Sequence, residues 1–212
     1  MHLRPLIFAA LACSAVALAQ NPVTADSPFQ VRYASNLNVG DSVINVTNTG
    51  ATGAGLAAGT SASTTGAICV NVYAFSPDEQ MISCCSCPVT PNGLVSLSAR
   101  NDLISNTLTP AVPTSIVVKL LATAPVAGSC NTSASTVTTA TIVPGMAAWG
   151  TTLHATPTAG TYAVTETAFT PGTLSAGELS RLGNLCTFIN ANGSGFGICR
   201  SCRLGGLGAD KL

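Results

Sequence analysis

Cysteine is the residue type in this 212-residue chain whose number and spacing could do chemistry. Eight of its nine cysteines, Cys69, Cys84, Cys85, Cys87, Cys130, Cys186, Cys199 and Cys202, lie beyond an apolar N-terminal stretch. An even set of cysteines behind an export leader reads as a disulfide framework. Two rivals use the same thiols. Cys84-Cys85-x-Cys87 and Cys199-x-x-Cys202 bring enough sulfur together for a tetrahedral zinc site. A strong zinc signature, however, has two C-x-x-C pairs, and only one is present. A redox-active Cys199–Cys202 pair would sit at a helix start after a strand, where the thiol pKa falls; here the pair follows the expected helix. The sequence therefore favours four structural disulfides and no metal or other cofactor.

The leader spans residues 1–19. His2 and Arg4 open it, Leu6 to Leu18 is apolar, and Ala17-Leu18-Ala19 is a small-x-small cleavage site. The stretch is shorter than the roughly 20 residues of a membrane span, and no transmembrane segment is expected elsewhere. Ala10-Leu11-Ala12-Cys13 loosely resembles a lipid-attachment box, so Cys13 is the alternative processing site. The expected location is outside the cytoplasm: extracellular, at the cell surface or periplasmic.

Charged residues make up 8% of the chain, against about 25% in ordinary soluble proteins. Net charge is zero. Nucleic acid is excluded as a partner, because phosphate binding needs a concentrated basic patch, and Arg200, Arg203 and Lys211 near the end are too few. A surface so poor in charge offers little repulsion between copies, which favours self-association.

The elements that must position the cysteines are strands. Runs rich in Val, Ile, Thr, Tyr and Phe alternate with Gly, Pro, Asn and Ser, the pattern of an all-β sandwich. Strands are expected at 29–34, 42–47, 68–75, 81–87, 94–99, 115–123, 136–143, 147–154 and 161–169, with a long Gly/Ala/Ser/Thr loop at 48–66. The period then changes. Ser175-Ala176-Gly177-Glu178 is a capping box, with the Glu178 carboxylate reaching back, and Leu179, Leu182, Cys186 and Ile189 recur at helical spacing. One helix is expected over 176–190, ended by Asn192-Gly193. Residues 195–202 return as a short strand or tight loop. The mature region is a single β-rich domain, 20–204, with a subdivision near 125 as the alternative, and 205–212 is a flexible tail.

A hairpin centred on Asp78 would set Cys69 directly opposite Cys87, close enough for a disulfide. Cys85 would share the face of Cys87, and Cys84 would point the other way, so Cys84 and Cys85 have different partners. Cys186 would bond Cys199 or Cys202 and pin the helix to the segment that follows it. Eight cysteines allow 105 pairings, and the remaining bonds stay open.

Other signals are weaker. Thr49-Gly50-Ala51-Thr52-Gly53-Ala54-Gly55 resembles a nucleotide-binding glycine loop but lacks a helix behind it. Gly193-Ser194-Gly195-Phe196-Gly197 lacks the strand–turn–helix setting of a nucleophile elbow. The region after the leader holds one histidine, His154, and its carboxylates are scattered; Asp41 and Asp102 are candidates for calcium without a spaced ligand loop. Nothing forms a catalytic set. Trp149, with Tyr73, Tyr162 and Phe169, could form a carbohydrate-stacking platform, although alternating apolar neighbours favour core packing. Asn45-Val46-Thr47, Asn131-Thr132-Ser133 and Asn192-Gly193-Ser194 are glycosylation sequons.

Ser83-Cys84-Cys85-Ser86-Cys87-Pro88 within 68–106, and the ending Gly195-Phe196-Gly197-Ile198-Cys199-x-x-Cys202, resemble uncharacterised secreted bacterial proteins. The two segments cover about a quarter of the chain, and the resemblance implies no activity and no catalytic residues. The functional expectation is an exported structural or adhesive protein, not an enzyme, whose partner is its own copies or a surface component. The alternatives are a module binding glycans or another extracellular ligand, and a thiol–metal or redox protein.

Overall fold

The computed structural model describes residues 27–53 and 66–203; the leader, most of the Gly/Ala/Ser/Thr loop and the 205–212 tail lie outside the described residues. The strands are β1 (Phe29–Ala34), β2 (Val43–Asn48), β3 (Ile68–Phe75), β4 (Met81–Val89), β5 (Leu94–Ser98), β6 (Ile116–Thr123), β7 (Met146–Ala155), β8 (Tyr162–Ala168) and the two-residue β9 (Thr170–Pro171). They form two antiparallel sheets, in the orders β4-β3-β6-β1-β9 and β5-β2-β7-β8. Each sheet contains strands from both sides of residue 125, β9 joining the first and β7 and β8 the second.

The inner faces enclose one core. Ile44, Val46, Val70, Val72, Leu97, Val118, Leu120 and Met146 meet there, each one residue in two along its strand. The five-stranded sheet is buried on its outer face as well. Helix α1 (Ala176–Ala191) lies over it, and Leu179, Leu182, Cys186 and Ile189 pack on Phe29, Tyr73, Phe75 and Leu121. This is why β3 is buried at every position, Ile68 through Phe75. The architecture is thus a sandwich with a helix as a third layer on one side.

The region 136–143 departs from expectation: it is no strand. A short 3₁₀ turn, Thr139–Thr141, is capped at Thr138, and only Ile142 makes an isolated bridge, to Thr123. Hydroxyls of Thr bond locally to the backbone and compete with ladder pairing. The capping box of α1 is also half of what the motif suggests. Ser175 Oγ accepts from the Glu178 amide at 3.1 Å, but the Glu178 carboxylate binds Lys119 of β6 and Arg181 instead of turning back. Beyond α1 the segment from Phe196 to Cys199 runs beside β4, and the described residues close with the single turn α2 (Arg200–Arg203).

Candidate functional site

All eight cysteines are bonded: Cys69–Cys130, Cys84–Cys186, Cys85–Cys199 and Cys87–Cys202. The Cα separations, 4.9–5.7 Å, suit a disulfide. Two expected pairings are corrected. Cys69 does not bond Cys87, because a bulge at Ile82 shifts the β3–β4 register by one residue. Phe75 faces Met81, but Ala74 faces Ser83 and Cys69 faces Pro88. A shift of one residue moves each partner to the other face, so Cys69 shares its face with Cys84 and turns away from Cys87. Cys186 does not bond Cys199 or Cys202. It faces the sheet from the helix and takes Cys84, whereas Cys199 lies with Cys85 and Cys87 in the inner core. Cys84 and Cys85 do point to opposite faces and have different partners.

The consequence is a sulfur cluster at one corner of the sandwich. Cys85 and Cys87 project from one face of β4, and 196–202 brings Cys199 and Cys202 to them. The Sγ atoms of Cys87, Cys199 and Cys202 all lie within 4.8 Å of one another. Asp102 holds this corner. It is fully buried, and its carboxylate accepts from the Ser98 amide at 2.8 Å, the Ser201 amide at 2.6 Å and the Ser201 hydroxyl. Asp41 accepts from Ser98 Oγ and the Arg100 amide. Both carboxylates are engaged by protein donors, and they do not assemble a cation-ligating group with any third side chain among the described residues.

The aromatic platform is separated. Tyr73 is fully buried under α1 and donates to the Ala134 carbonyl at 2.8 Å. Phe169 lies in the inner core. Trp149 is half-buried on the outer face of the four-stranded sheet, opposite Asn45 on one side and Ala168 on the other. Tyr162 projects from that same face, about 20 Å away along the strands.

No hydrolytic set forms among the described residues. His154 pairs its ring nitrogens with Thr165 Oγ1 at 2.9 Å and the Asn36 amide nitrogen at 3.5 Å. Ser194 is buried, with its hydroxyl between the carbonyls of Ile82 and Asn106 at 2.8 and 2.7 Å. The start of the glycine loop, 49–53, forms a turn after β2, and its remainder lies outside the described residues. Two open grooves, of about 520 and 390 Å³, are lined by small polar and apolar side chains without a titratable group, and a third, of about 380 Å³, has Glu79, Lys119 and Arg181 in its lining but no histidine, cysteine or serine–base pair.

Sequence reasoning passes over Arg32. It points inward from β1, is 7% exposed, and donates to Thr152 Oγ1 at 2.7 Å, Thr167 Oγ1 at 3.1 Å and Ser42 Oγ at 3.2 Å. Burial pushes its pKa below the ordinary value. Gly150 makes room for it, since a Cβ there would meet the guanidinium at 2.8–3.0 Å. A lone arginine at an inward position of an alternating strand is the signal that could have found it. Its hydroxyl partners on β7 and β8 make it a clamp between the sheets.

The two sheets end differently. The β4 edge is covered by 196–199, through Phe196 N to Cys84 O at 3.0 Å, Ser86 N to Gly197 O at 3.1 Å and Cys199 N to Ser86 O at 3.1 Å. The β8 edge pairs with no described element, and all seven of its residues are exposed. It overhangs because β9, its counterpart in the other sheet, is only two residues long. No protein-family model matches the chain, and no curated protein or solved structure matches it.

Proposed function

We propose that this chain is an exported structural or adhesive protein of the cell surface or extracellular space, without catalytic activity, which works by joining to its own copies. One observation carries the reading: β8 is a seven-residue edge strand exposed on both faces and, among the described residues, unpaired along one side. An uncovered edge is a template for pairing with another chain. Its sequence, Tyr162-Ala163-Val164-Thr165-Glu166-Thr167-Ala168, carries a single charge, little deterrent against a partner strand. Four disulfides support the placement, since such bonds persist in oxidising compartments, and no described helix is long and apolar enough to cross a membrane.

A twofold axis at Val164 gives the register with the least conflict. Val164 then faces Val164, and Glu166 faces Tyr162. The two Glu166 carboxylates stand about 14 Å apart along the strands. Sedimentation of the purified protein over a wide concentration range tests this: a reversible dimer is expected. A monomer at every concentration, with no binding to isolated cell-surface material, would overturn the reading.

The position of Trp149 on the uncovered sheet face favours one second reading, a glycan-binding module in which the indole stacks on a sugar face. Loss of glycan-array binding in Trp149→Ala, with an unchanged far-UV spectrum, is its expected signature; an array blank for the wild type would remove it.

A further inference from the structure

The corner where β4 meets the C-terminal segment carries more than two cross-links. Cys85 and Cys87 are two residues apart on one strand and face the same way. Cys199-x-x-Cys202 approaches from the other side, and its turn closes through Cys202 N to Cys199 O at 3.1 Å. Three of the four sulfurs lie within 4.8 Å of one another, and the fourth, on Cys85, is bonded to Cys199. A zinc ion held by four thiolates at about 2.3 Å needs its sulfurs about 3.8 Å apart. Three of the sulfurs are therefore gathered near that spacing already, and Cys85, tied to Cys199 but outside the 4.8 Å group, has to swing in by a side-chain rotation once its bond is open. Cys69–Cys130 and Cys84–Cys186 lie on the opposite face of the sheet and join no such group among the described residues.

The corner is also held by contacts other than the disulfides. Hydrogen bonds from Phe196, Cys199 and Ser86 seat the segment along β4, and the buried Asp102 carboxylate holds the amide and hydroxyl of Ser201. Access is graded too. Cys202 is half-buried, and the other seven bonded cysteines are buried, so a reductant meets the Cys87–Cys202 bond first.

We propose that Cys85, Cys87, Cys199 and Cys202 form a zinc site whose oxidised form is the pair of disulfides Cys85–Cys199 and Cys87–Cys202. An external dithiol passes two electrons and two protons to each bond and closes to its own disulfide, giving four cysteine thiols. Zinc binding then displaces four protons and leaves a tetrathiolate centre. Two equivalents of an external disulfide, each taking two electrons and two protons and leaving as thiols, oxidise the four thiolates, restore the two S–S bonds and release the metal. The site stands independently of association through β8.

The test uses the full chain, reduced anaerobically with a phosphine that does not compete for zinc, then given zinc or cobalt(II). One zinc per chain retained through gel filtration is expected, with four of the eight thiols beyond residue 19 protected from alkylation. Cobalt should give the charge-transfer and tetrahedral ligand-field bands of a thiolate site. Cys84→Ser/Cys186→Ser should keep the metal and Cys199→Ser/Cys202→Ser should lose it. Absence of the cobalt bands in the wild type, whose folding does not depend on any substitution, would overturn the proposal. So would zinc retained equally by the Cys199→Ser/Cys202→Ser variant.

Discussion

Tyr73 shows how burial turns a candidate binding residue into a structural one. Its hydroxyl has one partner, the Ala134 carbonyl, and burial pushes its pKa well above the ordinary phenol value. The unfolded chain ionises this tyrosine near pH 10, whereas the folded chain holds the proton. Above about pH 10 the unfolded state therefore binds fewer protons, and stability falls as pH rises. Tyr73→Phe should cost about 1 to 2 kcal/mol at neutral pH, because the carbonyl loses its donor. It should also flatten the loss of stability above pH 10; urea melts of both proteins from pH 7 to 11 check the two effects together. Ser83 is the opposite case: its buried hydroxyl has no hydrogen-bond partner among the described residues. Ser83→Ala should raise stability by about 1 kcal/mol, read as a higher urea midpoint at unchanged slope. Neither environment is legible in the sequence. Alternation separates inside from outside only when one face meets water, and β3 is buried on both.

Strand positions were the legible part at the scale of elements, because β-branched and aromatic runs between Gly, Pro and Asn leave few other conformations. The helix was legible for a similar reason, its apolar residues falling at three- and four-residue spacing ahead of Asn192 and Gly193. Register was not. The bulge at Ile82 has no residue signature, yet it decides which cysteines meet: without it Cys69 and Cys87 would be opposed, and with it Cys69 turns toward Cys130. The helix likewise docks where its apolar face finds Tyr73 and Leu121, a long-range match that local spacing does not contain. Cys84–Cys186 fixes that docking across 102 residues, and chain entropy gives a loop of that length about 4.7 kcal/mol. Cys84→Ser/Cys186→Ser should lower stability by about 2 to 5 kcal/mol. Because α1 packs on the outer face of the five-stranded sheet and on the turn at Ser133–Ser135, outside the inner core, its amides should lose hydrogen-exchange protection before those of β2 and β7. Equal loss throughout the molecule would mean that helix and sandwich unfold as one unit.

For the molecule as a whole, what matters is which surfaces are left unfinished. The five-stranded sheet has its outer face under α1, one edge covered by 196–199 and the other reduced to a two-residue strand. The four-stranded sheet lies against α2 at β5 and, among the described residues, is left open at β8. Composition pointed toward association, through low charge, but said nothing of where it happens, since exposure of β8 follows from the brevity of β9. One long open edge per copy has a specific consequence. Two edges paired about a twofold axis satisfy each other and leave none free, so association stops at the dimer and does not continue into filaments. Val164→Lys tests edge and axis together, because it sets two like charges directly opposite at the centre of the pair. Each unfavourable cross-strand pair costs about 0.2 to 1 kcal/mol, and the apolar Val164 contact is lost as well. The variant should fold with unchanged stability, since Val164 is 61% exposed, and should sediment as a monomer where the wild type is a dimer. Val164→Thr, which keeps a β-branched side chain, should still dimerise. A Val164→Lys protein that dimerises as tightly as the wild type would place the contact on another surface, and oligomers larger than two would show that β8 is not the sole edge in use.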